Sequence, residues 1–338
     1  MKKNNHYYVT SLCYFILLAL LNGCTLTYKS TGKVLTGYAS DQAVPYTLAT
    51  GDVGLTCSMV ESFTPFLLSF SQVEVSSDQL AILFYLMAGN CTEFKAQEQE
   101  LRYLRAIFSK NEIEAQDARI AQQRLLSLAA SRQLLGYQYL AKAFVEPGNE
   151  CPEFNSEPEE LYWLLGLLNG IQAIMNDVAS GGMVEVPLNT AAKVGRASAC
   201  LDNQKWWGTP KAIQAAIWMI SPTGYPVDKD PEQILKQSIK MSLQKGVKIT
   251  QVLAAQVYLG RGDIEKVKGI IRHYEKGIET PATETFKMLN QVSRLQIQAI
   301  SDRLWTEATG SRTPLGKLGS FWDDPVKTVD MIDIDEFL

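Results

Sequence analysis

The side chains that most often carry out catalysis are scarce or poorly spaced in this sequence. Of its two histidines, His6 lies near the N-terminus, and His273 falls at the end of an expected helix, where a positive imidazole suits the helix dipole. The carboxylates of Glu159 and Glu160 are adjacent, so on a helix they point apart and cannot share acid–base work. No G-x-S-x-G, Walker-type glycine loop or H-E-x-x-H is present. The sequence therefore predicts a protein that is not an enzyme and has no metal site or cofactor.

Cys24 stands at the end of an N-terminal segment with the features of an export signal. Lys2 and Lys3 precede the apolar run YFILLALL, which is too short to cross a bilayer, since a spanning helix needs about 20 apolar residues. The following LNGC resembles the lipobox of bacterial lipoproteins, in which the cysteine is acylated and becomes the new N-terminus. We therefore expect residues 1–23 to be a lipoprotein signal peptide and Cys24 to carry the lipid, with Thr25 favouring the outer membrane. The alternatives are an ordinary cleaved signal peptide, or a retained anchor with a buried Cys24.

The other cysteines indicate the redox compartment. Cys13 leaves with the signal peptide, so an even number remain that could form two disulfides in an exported chain: Cys57, Cys91, Cys151 and Cys200. Three pairings are possible, and we favour Cys57 with Cys91 and Cys151 with Cys200, because each would tie neighbouring helices. The alternative is four buried free thiols. Their wide separation does not match the close pairs of a zinc site.

Arginine and tryptophan supply the candidate binding residues. Arg119 and Arg124, within QDARIAQQR, could bracket an anion, although interhelical ion pairs are the favoured explanation for such a cluster. Trp206 and Trp207, within NQKWWGTP, precede a helix start and could line an apolar pocket or touch a partner, with core packing as the alternative. Trp163, in the most apolar helix, is the fifth candidate.

Helices must position these residues, because apolar side chains recur at helical spacing over residues 51–308 and no stretch alternates for long enough to require a sheet. The segment Leu161 to Met175 is apolar nearly all round, which predicts a central helix buried on every side. Gly166 and Gly170 would let another helix approach it closely.

Residues 24–50 are polar and glycine-rich without helical period, which predicts a flexible tether. Residues 309–338 form a glycine- and proline-broken acidic tail, for which a flexible end is favoured over a docking peptide.

A helix hairpin is predicted near the end of the helical domain. In AAQVYLGRGDIEKVKGIIRHY, Ala254 and Tyr258 precede a short turn, and Val267 and Ile271 follow it. This offset resembles a tetratricopeptide-type hairpin. The predicted fold is therefore all-α, an α-solenoid-like bundle of degenerate tetratricopeptide-type helix hairpins.

The charge balance argues against nucleic acid as a partner. The 338-residue chain has 32 Lys and Arg against 36 Asp and Glu, and loss of Lys2 and Lys3 with the signal peptide leaves 30 against 36. Nucleic-acid binders present basic faces to phosphate, and a net charge near −6 does not suit that task.

Several segments together resemble a known family. They are the lipobox, AGNCTEFKAQEQELRYLRAIF, AQDARIAQQR, YWLLGLLNGIQAIMND, RASACLD and LAAQVYLGRGDIEKVKGIIRHY. They look like the T-component lipoproteins associated with tripartite ATP-independent periplasmic (TRAP) transporters. The resemblance implies a tetratricopeptide-like helical lipoprotein that can form a trimer and has a channel or pocket among its helices. It also implies a periplasmic solute-binding protein as partner, and it has no catalytic residues to carry over.

These observations lead to one expected function and one alternative. We expect a lipid-anchored periplasmic accessory protein of a TRAP-type uptake system, attached to the outer membrane, that engages a solute-binding protein and a small acidic or hydrophobic ligand. The alternative is a non-catalytic helical-repeat scaffold lipoprotein for envelope assembly. A third class, an enzyme acting on cell-wall polymers, would need a carboxylate in a deep groove.

Overall fold

Helices make up most of the computed structural model, which describes residues 25–220, 226–276 and 286–325. Within those ranges no residue forms a β-strand, so the predicted all-α fold class is confirmed. The helices are α1 (25–38), α2 (Val44–Thr50), α3 (Val53–Ser69), α4 (Asp78–Phe108), α5 (Glu112–Ala143), α6 (Glu157–Ser180), α7 (Thr190–Ala197), α8 (Thr209–Ile220), α9 (Pro231–Gln244), α10 (Ile249–Gly260), α11 (Ile264–Glu275) and α12 (Lys287–Thr309). The predicted signal peptide, Cys24, and residues 326–338 of the predicted tail lie outside the described residues.

The centre of the fold is the bundle of α4, α5 and α6. The prediction of a buried central helix is confirmed by α6, in which nearly every residue from Tyr162 to Ala173 is buried. Small residues let the helices approach closely: a Cβ at Gly166 would lie 2.6 Å from a methyl group of Leu140 on α5. Asn169 of α6 donates to the carbonyl of Ile82 on α4 at 2.9 Å, which joins these two helices.

The second half of the chain packs around this bundle. Helix α12 lies against α4 and α10, and α8 lies against α7, α9 and α10. The side chains predicted for the late hairpin, Tyr258 on α10 and Val267 and Ile271 on α11, are buried, and residues 261–263 join the two helices. The repeat pattern beyond this hairpin stays a prediction.

The two disulfides tie the periphery to the bundle. Cys57 of α3 is bonded to Cys91 of α4, with Cα atoms 5.7 Å apart. Cys151, in the loop between α5 and α6, is bonded to Cys200, in the 3-10 turn that follows α7, with Cα atoms 5.3 Å apart. This is the pairing that the sequence favours.

The segment predicted to be a flexible tether is helical instead. From residue 25 the chain is α-helical to residue 38, passes through a π-helical turn (Ala39–Ala43) and continues as α2 to Thr50. Tertiary packing overrides its weak helix propensity, because Ala39 and Val44 are buried and Gly32 lies directly against the ring of Phe70. The sequence prediction missed these contacts because they involve residues distant along the chain.

The described part of the predicted tail is also packed. Residues 310–325 fold back along α11 and α12, where the indole N–H of Trp305 donates to the carbonyl of Ser320 at 3.0 Å. Lys268 pairs with Asp323 and Arg272 with Asp324, each at 2.5 Å. The flexible-end prediction is therefore wrong for this part of the tail.

Candidate functional site

A cleft runs between α4 and α6 on one side and α12 on the other. It consists of an apolar chamber of about 100 Å³ and a polar vestibule of about 420 Å³, and Gln296 of α12 lines both. The cleft follows the parallel helices α4 and α6: the chamber meets α4 from Leu83 to Asn90, and the vestibule meets it from Glu93 to Glu100.

The chamber is walled by aliphatic and aromatic side chains. They are Leu83, Leu86 and Met87 of α4; Leu161, Leu165 and Leu168 of α6; Trp207; and Phe286, Met288, Leu289 and Val292 at the start of α12. The rings of Trp207 and Phe286 are in edge-to-face contact, with centroids 4.5 Å apart.

The turn before α8 aims Trp207 into this chamber. Trp207 has a left-handed backbone conformation (φ 55°) and is followed by Gly208 (φ 78°), where a Cβ would lie 2.9 Å from the backbone of Ser238. Only glycine fits at this close approach. The amide of Gly208 donates to the carbonyl of Asn203 at 2.7 Å, which closes the turn.

The vestibule is lined by carboxylates, amides and one guanidinium. Glu93 accepts a hydrogen bond from the amide nitrogen of Asn176 at 3.2 Å. Burial raises the pKa of the Glu93 carboxyl, an effect that hydrogen bonds from Asn176 and Gln133 oppose. Further along, Arg303 of α12 forms an ion pair with Glu100 at 3.3 Å.

Three buried polar atoms at the cleft have no hydrogen-bond partner among the described residues. They are the side-chain nitrogen Nε2 of Gln296, Nε of Arg303 and the side-chain oxygen of Asn90. A buried polar group without a partner costs free energy, on the order of 1–3 kcal/mol. Two of these atoms are donors on one helix, so the cleft offers hydrogen bonds to an acceptor oxygen.

The predicted aromatic site residues separate in the structure. Trp207 lines the chamber, whereas Trp206 is buried beside it and donates its indole N–H to Glu160 at 2.7 Å. Trp163 is fully buried and donates to the carbonyl of Ala197 at 3.1 Å. Trp163 therefore packs the core and does not face the cleft, in contrast to the binding role expected for it.

The predicted arginine site does not assemble as an anion site. Arg119 donates to the side chain of Gln122 at 2.7 Å, and Gln122 lines the vestibule, so Arg119 reaches the cleft only through another residue. Arg124 is exposed and lines neither cavity. Arg102 of α4 pairs with Glu114 and Asp117 of α5, which is the interhelical arrangement that the sequence favoured.

Glu93, Gln296 and Arg303 are not among the site residues predicted from the sequence. One signal could have found Gln296: Met288, Val292 and Ile300 form an apolar stripe at four-residue spacing, and Gln296 interrupts it. A polar residue in a buried stripe needs a partner, so it marks either a structural hydrogen bond or a binding site.

No family model, curated protein or solved structure matches this chain.

A second concave surface lies between α9 and α11. This groove of about 600 Å³ has an apolar floor that includes Ile239 and Ile270. Its rim carries Lys236 and Lys240, which are exposed and form no ion pair with any described residue. Among the described residues, no group of three or more His, Cys, Asp or Glu side chains could hold a metal ion, here or in the cleft.

Proposed function

We propose that this chain is a non-catalytic binding protein of the bacterial cell envelope that holds a small amphipathic ligand in the cleft between α4, α6 and α12. We further propose that it is lipid-anchored through Cys24 in the outer membrane, faces the periplasm, and works with a solute-binding protein of a TRAP-type uptake system. One observation carries the ligand proposal: the apolar chamber adjoins the buried Nε2 of Gln296, the vestibule holds the buried Nε of Arg303, and neither donor has a partner among the described residues.

The ligand class follows from the two ends of the cleft. A cavity of about 150 Å³ lined by leucine, isoleucine and phenylalanine holds benzene, so a chamber of about 100 Å³ suits a short alkyl group. The donors of Gln296 and Arg303 suit an acceptor oxygen, and a charged acceptor makes the stronger hydrogen bond. The proposed ligand is therefore a short-chain carboxylic acid.

The polar lining of the vestibule supports binding rather than catalysis. Its polar side chains are amides, the carboxylates of Glu93 and Glu100, and the guanidinium of Arg303. Arg303 already neutralises Glu100, and Asn176 holds Glu93, whose pKa is raised by burial. Neither carboxylate faces a nucleophile in the vestibule lining. The same arrangement serves a receptor that binds and releases its ligand unchanged.

The disulfides support an oxidising compartment. Both Cys57–Cys91 and Cys151–Cys200 connect separate elements, and such bonds persist in the periplasm and are rare in the cytosol.

The membrane attachment itself is tested by Cys24→Ser, which is expected to abolish lipid labelling and release the protein from membranes. A variant that is still labelled and still membrane-bound would overturn the lipoprotein assignment.

Ligand binding is tested by calorimetric titration of the protein with hexanoate. We expect saturable binding that weakens by about tenfold in Gln296→Leu, because one hydrogen bond to a charged group contributes about 1.5 kcal/mol. The matched control is Arg312→Met, on the chain just beyond α12, where the arginine pairs with Glu98 outside the cleft lining. Absence of saturable binding, or equal weakening in both variants, would exclude the proposed site.

The partner is tested by co-purification from detergent-solubilised envelopes, with and without a periplasmic solute-binding protein. Recovery of neither a partner nor a ligand would exclude the uptake function.

The scaffold alternative is favoured by the groove between α9 and α11, which is larger than either cavity of the cleft. Recovery of an envelope-assembly protein, without ligand, would support that alternative. Size measurements in the same detergent extracts test the trimer that the family resemblance implies.

A further inference from the structure

Helix α3 exposes an apolar face that the rest of the described chain does not cover. Leu55, Phe63 and Phe66 lie on this face and are 71%, 47% and 48% exposed. The ring centroid of Phe66 is 6.0 Å from that of Phe63 and 5.4 Å from that of Phe70, so the rings form a continuous aromatic strip. An exposed apolar patch of this kind marks a surface that contacts a partner or a membrane.

The face is also almost uncharged. From Val53 to Val73 the only ionisable side chain of the Asp, Glu, Lys or Arg type is Glu61. Glu61 points to the bundle, where it pairs with Lys95 and Arg132, each at 3.0 Å. Between Val53 and Val73, therefore, no charged side chain lies on the outer face to oppose its transfer into a less polar environment.

By length and composition, Val53–Val73 could cross a membrane, and 28% of its most apolar window is buried in the protein. A spanning role conflicts with its packing. Val60 and Leu67 are buried against the body, and the Cys57–Cys91 bond holds the helix on α4. A helix that is buried on one side and apolar on the other suits the plane of a membrane interface.

The start of α1 lies at the end of this face. A Cβ at Gly32 would be 2.7 Å from the ring of Phe70, and Lys29 pairs with Glu74, just after α3, at 2.6 Å. Helix α1 is described from residue 25, seven residues before Gly32, which corresponds to about 10 Å of helix. The residue expected to carry the lipid therefore adjoins the aromatic strip through a short, packed helix.

We propose that the outer face of α3, from Leu55 to Phe70, lies in the headgroup region of the membrane that holds the lipid of Cys24. The proposal rests on the acylation of Cys24 proposed above. The membrane is the proposed partner of this face, because the short helix α1 connects it to Cys24 and keeps it within reach of the bilayer. Exposed Lys33 of α1, which forms no ion pair with any described residue, adds attraction to anionic headgroups.

The test uses the full chain, processed and acylated in its host and reconstituted in vesicles of phosphatidylethanolamine and phosphatidylglycerol. Some of the lipids carry bromine on the acyl chains, which quenches nearby tryptophan. Phe63→Trp adds a fluorophore to the face, and Leu188→Trp adds one at a 99% exposed site before α7 as the matched control. The wild-type emission is subtracted from each spectrum.

We expect brominated lipid to remove roughly half or more of the emission added at position 63, since the apolar face of an interfacial helix is buried about 5–10 Å into the boundary between headgroups and acyl chains, and to leave that at position 188 unchanged. Phe66→Trp serves if Phe63→Trp does not fold. Mass spectrometry of the N-terminal peptide reports acylation separately. If the protein is acylated but brominated lipid quenches the emission at position 63 no more than that at position 188, the membrane contact of α3 alone is overturned. If the mature protein is not acylated, both proposals are overturned. Emission at position 63 that shifts to the blue with protein concentration, without quenching, identifies a second copy as the occupant and also overturns it.

Discussion

Gly170 of the central helix lies close to side chains of two neighbouring helices, and replacing it by alanine tests the packing that positions the cleft. A Cβ there would lie 2.8 Å from a ring carbon of Tyr137 on α5 and 2.8 Å from a methyl group of Val194 on α7. Ordinary carbon–carbon contacts are about 3.5–4.0 Å, so the methyl group overlaps with side chains of two different helices. Both neighbours are buried and cannot move into solvent.

The expected change in the free energy of unfolding is a difference of two terms. Alanine favours a helix over glycine by about 1 kcal/mol. Overpacking a well-filled site costs about 1–3 kcal/mol, and a clash on two sides belongs at the upper end. We therefore expect Gly170→Ala to lower the free energy of unfolding by about 1–2 kcal/mol, or the melting temperature by roughly 2–6 °C.

Gly269 is the matched control, because it lies inside α11 and its added Cβ would meet no atom within 4 Å. Only the helix term applies, so Gly269→Ala should raise the melting temperature by about 2 °C. Thermal unfolding followed by far-UV circular dichroism measures both variants, and Val194→Ala in the Gly170→Ala background should restore part of the loss. Equal stabilisation by both alanines would refute the close approach of α6 to α5 and α7.

Three further outcomes are expected. Replacing Cys57 and Cys91 by serine should lower the free energy of unfolding by about 3–4 kcal/mol, since the bond closes a loop of 34 residues, and urea unfolding of oxidised and mutant protein measures it. The hydrogen bond from Lys268 lowers the pKa of Asp323, so the ion pair between them is complete above about pH 4, the range of a free aspartate, and is lost as pH falls through the lowered pKa. Loss of this ion pair should shift the emission of Trp322 to the red, and an emission that does not change with pH would contradict the prediction. Burial raises the pKa of Glu93, so the folded state binds a proton more tightly than the unfolded state, and the free energy of unfolding falls as pH rises above 4.5, the ordinary value. Glu93→Gln should reduce this fall, which unfolding experiments from pH 5 to 8 measure.

The sequence predicted the packing of those helices whose own residue pattern shows which sides are buried. An apolar run without a polar side indicates burial on every side, and α6 has that environment. The cysteine pairing followed from the order of the helices, since bonds between neighbouring elements need the least rearrangement.

The helical state of residues 25–50 depends on contacts that the sequence does not display. Gly32 and Gly37 lower helix propensity, and a polar composition gives no periodic apolar face. The helix is stabilised where Gly32 fits under Phe70 and where Val44 is buried, and both contacts require the folded position of α3 and α4.

The cleft was difficult to predict for a related reason. Its residues come from α4, α6 and α12, which are separated by long stretches of chain, so their convergence is a tertiary property. Tryptophan was a useful signal only at Trp207, where a left-handed turn redirects the ring; Trp163, in a regular helix, packs inward like any large apolar residue.

The helical N-terminal segment also gives the cleft a direction. Thr36 and Ser40, in the segment from α1 to α2, line a cavity with Ser77 at the start of α4, and α4 then runs from this end past the chamber to the vestibule. From Leu83 to Glu100 the helix rises roughly 25 Å. On the proposal that Cys24 is held in a membrane, we expect the apolar chamber to lie nearer the membrane than the polar vestibule. A flexible tether would leave this orientation free, whereas the packed helix α1 restricts it. The ligand would then enter and leave on the aqueous side, where a soluble partner can reach Glu100 and Arg303.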